Sequence, residues 1–559
     1  MDRPWYAYYD PGVPRDLERP DIALPELFLQ TAQQNPRRAG TIFHDRTLTY
    51  ARLWEQIEAF AGGLQALGVR HGDRVAIMLP NLPQFVVSFF GTLRCGAIAV
   101  PTNPLYTQRE LEYQLADSEA IAIVTLDPLF PRVQAALPAS KVNAVIVCGI
   151  GPALPRHLQP LFALKERRAG RLPIRPGGVV YRYESLLNSR PTSSLHSVSA
   201  GDTAVLQYTG GTTGYSKAAM LTHRNLIANA VQAHAWQGTS VSGDVRVLCA
   251  IPFFHVYGLS IAMNLSVVSA ATMLLVPRWI PKDVARVARR YRPQIFPGVP
   301  TMYVALPAMP GRPERSFSSL QVCMSGAAPL QTEVQQRFEA MSGARVVEGY
   351  GLSEAGPVTH CNPILGERRA GTVGVPFPGT DAMITDPETW EPLPPGAIGE
   401  MTVRGPQVMQ GYWNRPDETL AVLRDGWLHT GDMATMDVDG YFRIVDRKKD
   451  VIIASGYNVY PREVEETLLS HPKIAEAAVV GVPSDYRGET VKAVLVLRDG
   501  ETASAEEIIA FCKERLAIYK VPKVVEMRDE LPKSLIGKVL RRQLRDEHLA
   551  AQMTETGTG

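Results

Sequence analysis

Tyr208-Thr-Gly-Gly-Thr-Thr-Gly-Tyr-Ser-Lys217 holds three glycines and three threonines within six residues and ends on a lysine. It follows the apolar run Ala204-Val-Leu-Gln-Tyr208, which reads as a strand. Glycine lets backbone N–H groups turn inward, and threonine adds hydroxyl donors. Such a loop can wrap a polyphosphate with neutral donors while the lysine supplies charge. The spacing is not that of a Walker A loop, in which lysine directly follows the last glycine. Here Tyr215 and Ser216 intervene. A plain surface turn has the same composition, so the nucleotide reading depends on what surrounds the loop.

Outward from the loop, the first 300 or so residues alternate helical and strand patterns. Thr49 caps a helix to about residue 67, and 74–79 reads as a strand. Helices follow over 83–95 and 108–116, then a strand over 121–125. Apolar strands alternating with helices predict parallel sheets covered by helices. Residues 258–277 carry no charge, yet hold three serines, an asparagine and a threonine. That composition predicts a buried helix followed by a strand over 272–276 rather than a membrane span. Beyond Pro461 the pattern becomes a compact α+β unit. A helix runs from Pro461 to about 470, with strands over 474–482 and 491–497. Ser504-Ala-Glu-Glu507 reads as a capping box opening a helix to about 516, and a strand over 523–527 follows. The polar residues 550–559 read as a frayed end.

The chain has 559 residues, net charge +2, 20% charged and 45% hydrophobic residues. That length exceeds one core and allows two to four domains at roughly 150 residues each. The weak net charge gives no global drive toward nucleic acid or anionic membranes. Six scattered cysteines without a C-x-x-C pair argue against structural zinc or a disulfide framework, and suit a reducing cytosol. Between Arg156 and Arg182 lies a basic island of seven cations and one acid, Glu166. It reads either as a solvated excursion or as a patch that rests on anionic lipid.

Two further clusters can carry nucleotide chemistry. In Gly349-Tyr-Gly-Leu-Ser-Glu354, Tyr350 can stack on a purine, Ser353 can donate to phosphate and Glu354 can hold Mg²⁺. Asp439-Gly440 reads as a two-residue hairpin turn. If it sets the register, Asp432 faces Arg447 at the open end, where a carboxylate can accept from ribose hydroxyls. Leu531-Pro-Lys-Ser-Leu-Ile-Gly-Lys538 adds a lysine on a glycine turn.

In order along nearly the whole chain, these segments resemble the adenylate-forming superfamily: acyl-CoA synthetases, luciferases and peptide-synthetase adenylation domains. Within it the chain looks most like long-chain fatty acid–CoA ligases. The carriers of that likeness are Arg3-Pro-Trp-Tyr-Ala-Tyr-Tyr, Pro252-Phe-Phe-His-Val-Tyr-Gly258, Pro297-Gly-Val-Pro-Thr-Met-Tyr303 and Ser455-Gly-Tyr-Asn-Val-Tyr-Pro461. Ala218 stands where members often have glycine, and Ser353 where threonine is usual; serine keeps the hydroxyl.

The resemblance implies an α/β fold. A large N-terminal domain (1–448) of layered βα subdomains with a small β-barrel-like part precedes a mobile α+β C-terminal domain (449–559). It assigns Thr209, Gly210, Gly211, Thr212, Thr213, Gly214 and Lys217 to the phosphate loop. Gly326, Ala327, Ala328, Glu348, Gly349, Tyr350, Gly351 and Ser353 fall to the nucleotide, Asp432 and Arg447 to the ribose, and Glu354 to the metal. Lys538 becomes the catalytic lysine and Lys449 the hinge, with Ser455 and Gly456 in a CoA-side loop. His255, Val256, Gly258, Val299 and Tyr303 wall the acyl pocket, although His255 reads equally as a satisfied core histidine. The implied reaction uses ATP, Mg²⁺ and CoA to convert a fatty acid to acyl-AMP and then acyl-CoA, in the cytoplasm. Peripheral contact with the inner membrane surface and a homodimer stay open. So do a medium-chain or aryl acid substrate, transfer to a carrier protein instead of CoA, and a nucleotide-binding sensor without turnover.

Overall fold

The computed structural model describes residues 2–169, 174–188, 197–209, 216–454, 457–484, 488–534 and 537–556. The chain divides into two compact units. The larger comprises Trp5–Asp381 and Arg404–Leu428; the smaller comprises Met1–Pro4, Ala382–Val403 and His429–Gly559.

Two sheets build the larger unit. One runs, in spatial order, Gly411–Tyr412, Ala218–Thr222, Thr203–Tyr208, Ile98–Pro101, Arg74–Met78, Ala122–Leu126, Ala144–Cys148 and Val180–Arg182. From Thr203–Tyr208 to the Val180 edge its neighbours pair in parallel. The other sheet has Arg345–Gly351, Val322–Ser325, Ile295–Gly298, Arg246–Cys249, Thr272–Leu275 and Ala39–Phe43 as its parallel centre. Ala122–Leu126 and Ala144–Cys148 are buried throughout. Such strands are apolar end to end because helices cover both faces.

The helices begin where local chemistry places them. Thr49 Oγ1 accepts from Arg52 N at 3.2 Å to open Tyr50–Ala66. Thr107 and Glu110 close a full capping box on Gln108–Ser118. Pro83 opens Pro83–Arg94, where its missing N–H costs nothing. The uncharged segment is buried as expected, but its helix is wound wide. A π-helix, Gly258–Asn264, leads into the α-helix Leu265–Val268 and then strand Thr272–Leu275. Among the described residues no helix is long and apolar enough to cross a membrane.

In the smaller unit, Gly488–Leu497 pairs antiparallel with Ile474–Ser484 and parallel with Val524–Met527. Alternate residues of Ile474–Ser484 serve two cores. Val479 packs with Val464, Leu468 and Ile508. Ala478, Val480 and Val482 pack with Leu531 and Leu544. Period-two alternation thus puts helices on both faces. Ser504 accepts from Glu507 N at 3.2 Å, but the Glu507 carboxylate takes Lys473 Nζ at 2.7 Å. The expected capping box is therefore half formed, and its helix is Ala505–Lys513. The frayed tail expected over 550–559 differs in part: helix Arg541–Thr556 carries on to residue 556, and 557–559 lie outside the described residues. Leu544 is buried, and Arg528 binds Glu547 at 2.7 Å, which anchors the helix along its first turns.

Candidate active site

Strands Thr203–Tyr208 and Ala218–Thr222 pair antiparallel, Tyr208 opposite Ala218, and Thr209 N donates to Lys217 O at 2.8 Å. The Gly/Thr segment is therefore the connection between two paired strands. Gly210, Gly211, Thr212, Thr213 and Gly214 lie outside the described residues. At its base, Tyr113 Oη donates to Ser216 O at 2.8 Å, and Tyr208 Oη to Asp117 Oδ2 at 2.7 Å. Lys217 forms an ion pair with Glu418, and its Nζ stands 5.2 Å from the centre of the Tyr412 ring. Tyr412 Oη in turn donates to Glu354 Oε1 at 2.7 Å. Burial, and then the Glu354 charge, raise the Tyr412 pKa, so the phenol stays a donor. Met409 N also donates to Glu354 O at 2.8 Å. One tyrosine thus joins Lys217 of the loop to Glu354 of the second cluster. Sequence reasoning missed Tyr412, Glu418 and Asp117. Tyr412 lies on a two-residue strand, too short to leave a periodic signal.

The second cluster sits at carboxyl ends of parallel strands, where ligands bind in open α/β sheets. Ser325 pairs with Glu348, and Gly326 N donates to Gly298 O at 3.2 Å. Gly326 through Ala328, Val299 and Glu348 are therefore neighbours. Ala327 has φ 71°, a conformation a non-glycine residue holds only where its surroundings impose it. Tyr257 Oη donates to Met324 O at 2.8 Å, and Tyr303 Oη lies 2.9 Å from Phe296 O. Tyr350 stands opposite His360. Gly351 admits no side chain: a Cβ there would meet Pro357 O at 2.0 Å. Ser353 and Glu354 open the 3-10 turn Ser353–Ala355.

Among the expected acyl-pocket residues, Val256, Val299 and Tyr303 are buried and His255 is half-buried. His255 Nδ1 accepts from Tyr257 N at 3.2 Å, so the neutral ring carries its proton on Nε2. A Cβ on Gly258 would meet Pro252 O at 2.2 Å. Its glycine therefore has a packing reason of its own.

In the smaller unit the expected Asp432–Arg447 pairing is present, with Arg447 Nε 3.7 Å from Asp432 Oδ1. Asp437 Oδ1 accepts from Asp439 N and Tyr441 N, and Asp437 N donates to Tyr441 O. The turn thus has three residues, 438–440, with Gly440 at φ 86°. That is one residue longer than expected. A bulge between Met433 and Ala434 shifts the register back.

Lys538 lies beside this pair. Burial, aided by Arg447 and opposed by Asp432 and Asp450, pushes its ammonium down to about 7. Ser534 Oγ accepts from Lys538 N at 3.1 Å. Three residues on, Arg541 Nη2 meets Glu465 Oε2 at 2.7 Å, and its Nη1 lies 3.3 Å from both Asp446 Oδ1 and Asp450 Oδ2. Asp446 Oδ2 also accepts from Arg462 N at 2.7 Å. Lys448 Nζ reaches Glu400 Oε2 at 3.1 Å and Pro387 O at 2.8 Å. Burial alone would raise the Glu400 pKa, but the His429 ring 3.6 Å away, Lys448 Nζ and the hydrogen bond from Gly431 N hold it below the usual value. Arg541, Glu465 and Glu400 had no sequence signal of their own. Ser455 and Gly456 lie outside the described residues.

The family model for AMP-binding enzymes matches residues 28–413, and that for the AMP-binding enzyme C-terminal domain matches 463–538. The chain belongs to the AMP-binding enzyme family. It is 45% identical over 548 residues to a long-chain-fatty-acid–CoA ligase of Bacillus subtilis (strain 168), covering 98% of each chain. It is 41% identical over 564 residues to one of Yersinia pestis, covering 99% of this chain and all of that one. Among solved structures it resembles ATP-bound MatB from Rhodopseudomonas palustris. That likeness has a TM-score of 0.82 and 30% identity, and covers 94% of this chain and 99% of that one.

Proposed function

We infer that the protein activates a fatty acid, of long chain, with ATP. Acyl-AMP forms with release of pyrophosphate, and the acyl group then passes to CoA, giving acyl-CoA and AMP. The observation that carries the reading is similarity over nearly the whole length to long-chain-fatty-acid–CoA ligases. The meeting of Lys217, Tyr412 and Glu354 at the foot of the Gly/Thr segment supports it.

A carboxylate is a poor electrophile and oxide a very poor leaving group. Attack of the carboxylate oxygen on the α-phosphorus, with cleavage of its bond to pyrophosphate, supplies a better leaving group, AMP. The thiol sulfur then attacks the acyl carbon and the bond to AMP breaks. Both steps rest on positioning and charge neutralisation. The Gly/Thr segment with Lys217 holds the phosphates that leave. Ala327, Ala328 and Tyr350 bound the adenine, Ser353 donates to phosphate, and Asp432 with Arg447 holds the ribose. The Lys538 ammonium neutralises the carboxylate and α-phosphate oxygens as they approach. Among the described residues no three His, Cys, Asp or Glu side chains gather as a metal site. A lone Glu354 carboxylate suits Mg²⁺, which takes one or two carboxylates beside substrate phosphates. When bound, that ion would offset charge on the pyrophosphate. Lys449 is the proposed hinge and 455–456 the proposed CoA-side loop. A long-chain acid partitions into bilayers, so the reading includes peripheral contact with the inner membrane surface.

The test is CoA-dependent AMP release over a panel of acids from six to eighteen carbons, with aryl acids alongside. Each further buried CH₂ adds ~0.8 kcal/mol, so kcat/KM should climb toward the long acids. A maximum at medium-chain or aryl acids overturns the substrate. AMP release that ignores CoA but responds to a carrier protein overturns the acceptor.

A further inference from the structure

We propose that Tyr412 is a positioning residue for the divalent cation: its phenol holds one oxygen of the Glu354 carboxylate and turns the other to the ion. This rests on the reading of Glu354 as the carboxylate that meets Mg²⁺. Tyr412 Oη donates to Glu354 Oε1 at 2.7 Å. Glu354 Oε2 has no partner among the described residues. A carboxylate with one oxygen bonded and one open suits a small cation that keeps waters and phosphates for most of its places. Carboxylates that ligate metals are themselves hydrogen-bonded, and that bond fixes which way they face.

Backbone bonds fix both ends of the contact. Tyr412 stands on strand Gly411–Tyr412, opposite Ala219, and Trp413 N donates to Ala218 O at 2.9 Å. Ala218 directly follows Lys217, so the tyrosine is hung from the end of the Gly/Thr segment. Tyr412 N donates to Thr419 Oγ1 at 2.9 Å, which closes the chain behind it. On the other side, Met409 N donates to Glu354 O at 2.8 Å, and Ser260 Oγ to Gly356 O at 2.6 Å. The run 409–413 therefore ties Glu354 to the strand that begins after Lys217.

A tyrosine placed for packing alone needs only some acceptor, and main-chain carbonyls serve: Tyr113 takes Ser216 O and Tyr257 takes Met324 O. Tyr208 does meet a carboxylate, that of Asp117, but Arg415 Nη2 closes its second oxygen at 2.9 Å. At Glu354 the second oxygen is left open. A hydrogen bond to a charged oxygen is about twice as strong as a neutral one, so it orients the side chain that accepts it. Ring and hydroxyl also act on different partners. The buried ring has Lys217 Nζ 5.2 Å from its centre, and the hydroxyl alone reaches Glu354.

Isothermal titration of the full chain with ATP tests this, in EDTA and in excess Mg²⁺, with no acid or CoA present. Mg²⁺ should tighten ATP binding to the wild type. Tyr412→Phe keeps the ring and loses the hydroxyl. It should bind MgATP about tenfold or more weakly, bind ATP in EDTA as the wild type does, and keep the wild-type Tm. Glu354→Gln should show the same selective loss. MgATP affinity unchanged in Tyr412→Phe overturns the proposal, as does wild-type binding indifferent to Mg²⁺. Equal loss with and without Mg²⁺ overturns it too, because the phenol would then serve the nucleotide or the fold. Selective loss in Glu354→Gln alone leaves the metal reading standing without Tyr412; selective loss in neither removes both. Because no acid or CoA is present, these outcomes are separate from CoA-dependent AMP release, which can stand while the proposal fails.

Discussion

At the scale of single residues, Lys538 carries the sharpest consequences. In the proposed reaction its ammonium must be protonated to neutralise a carboxylate and a phosphate, yet burial pushes it down to about 7. A lowered lysine pKa means that the charged form is gained as pH falls. The kcat/KM for ATP in pyrophosphate exchange, which reports the free enzyme, should therefore fall as pH rises through about 7. Lys538→Arg keeps a charge at every such pH and should lose that alkaline limb, even if slow. Lys538→Ala should cut exchange by about a hundredfold or more while leaving CoA transfer from supplied acyl-AMP. Equal loss of both half-reactions would remove the lysine from the first step. Motif order made Lys538 legible in the sequence. Its perturbed charge was not, because burial and the opposed charges of Arg447 and Asp432 act on it across the fold, from residues far from it in sequence. Gly258 shows the converse: the motif is legible, but the 2.2 Å approach of Pro252 O explains that glycine without any acyl chain.

At the scale of elements, the Asp432–Arg447 hairpin shows what pattern reading can and cannot reach. Asp439-Gly440 announced a turn, and strand alternation on either side announced the pairing. The loop is one residue longer than a two-residue turn, and the bulge at Met433/Ala434 shifts the register by one in the opposite sense. The facing pair survives because the offsets cancel. Bulges leave no compositional mark here, so that cancellation was invisible. Helix capping was more legible: Thr49 and Thr107 act on their own chain, a few residues away. Ser504 did so only in part, because Glu507 had a competitor in Lys473. The cluster around Arg541 could not be read at all, since it gathers Asp446, Asp450 and Glu465 from three elements. Burial raises the pKa of both Asp446 and Glu465 against the pull of Arg541. Arg541→Met would leave those carboxylates without their cation. The expected loss is about 3 kcal/mol, the low end for breaking a buried pair, because the Arg541 side chain is 24% exposed. Differential scanning calorimetry of the full chain should show the transition of the smaller unit moving down, with Arg541→Lys recovering part. An unmoved transition would reduce the cluster to surface decoration.

At the scale of the whole molecule, the layered α/β class followed from strand–helix alternation, and the family from the order of motifs along the chain. What followed from neither is how the proposed hinge is framed. Lys449 lies in the 3-10 turn Lys448–Asp450. Its two neighbours are anchored to different parts of the smaller unit. Lys448 is tied to Glu400 and Pro387, upstream in the chain, and Asp450 is tied to Arg541, near its end. A turn held from both sides concentrates any rotation in the residue between, which is how hinges work. Proline at 449 fixes φ near −65°, a value a 3-10 turn tolerates, and forbids the excursion a rotation requires. Lys449→Pro should therefore leave pyrophosphate exchange near wild type and slow thioester formation from acyl-AMP by tenfold or more, an order-of-magnitude expectation for a blocked gating step. Single-turnover measurement of each half-reaction separates the two. If the second half-reaction runs at full speed in Lys449→Pro, rotation at this residue has no part in the cycle, and the anchoring of Lys448 and Asp450 serves only to hold the turn.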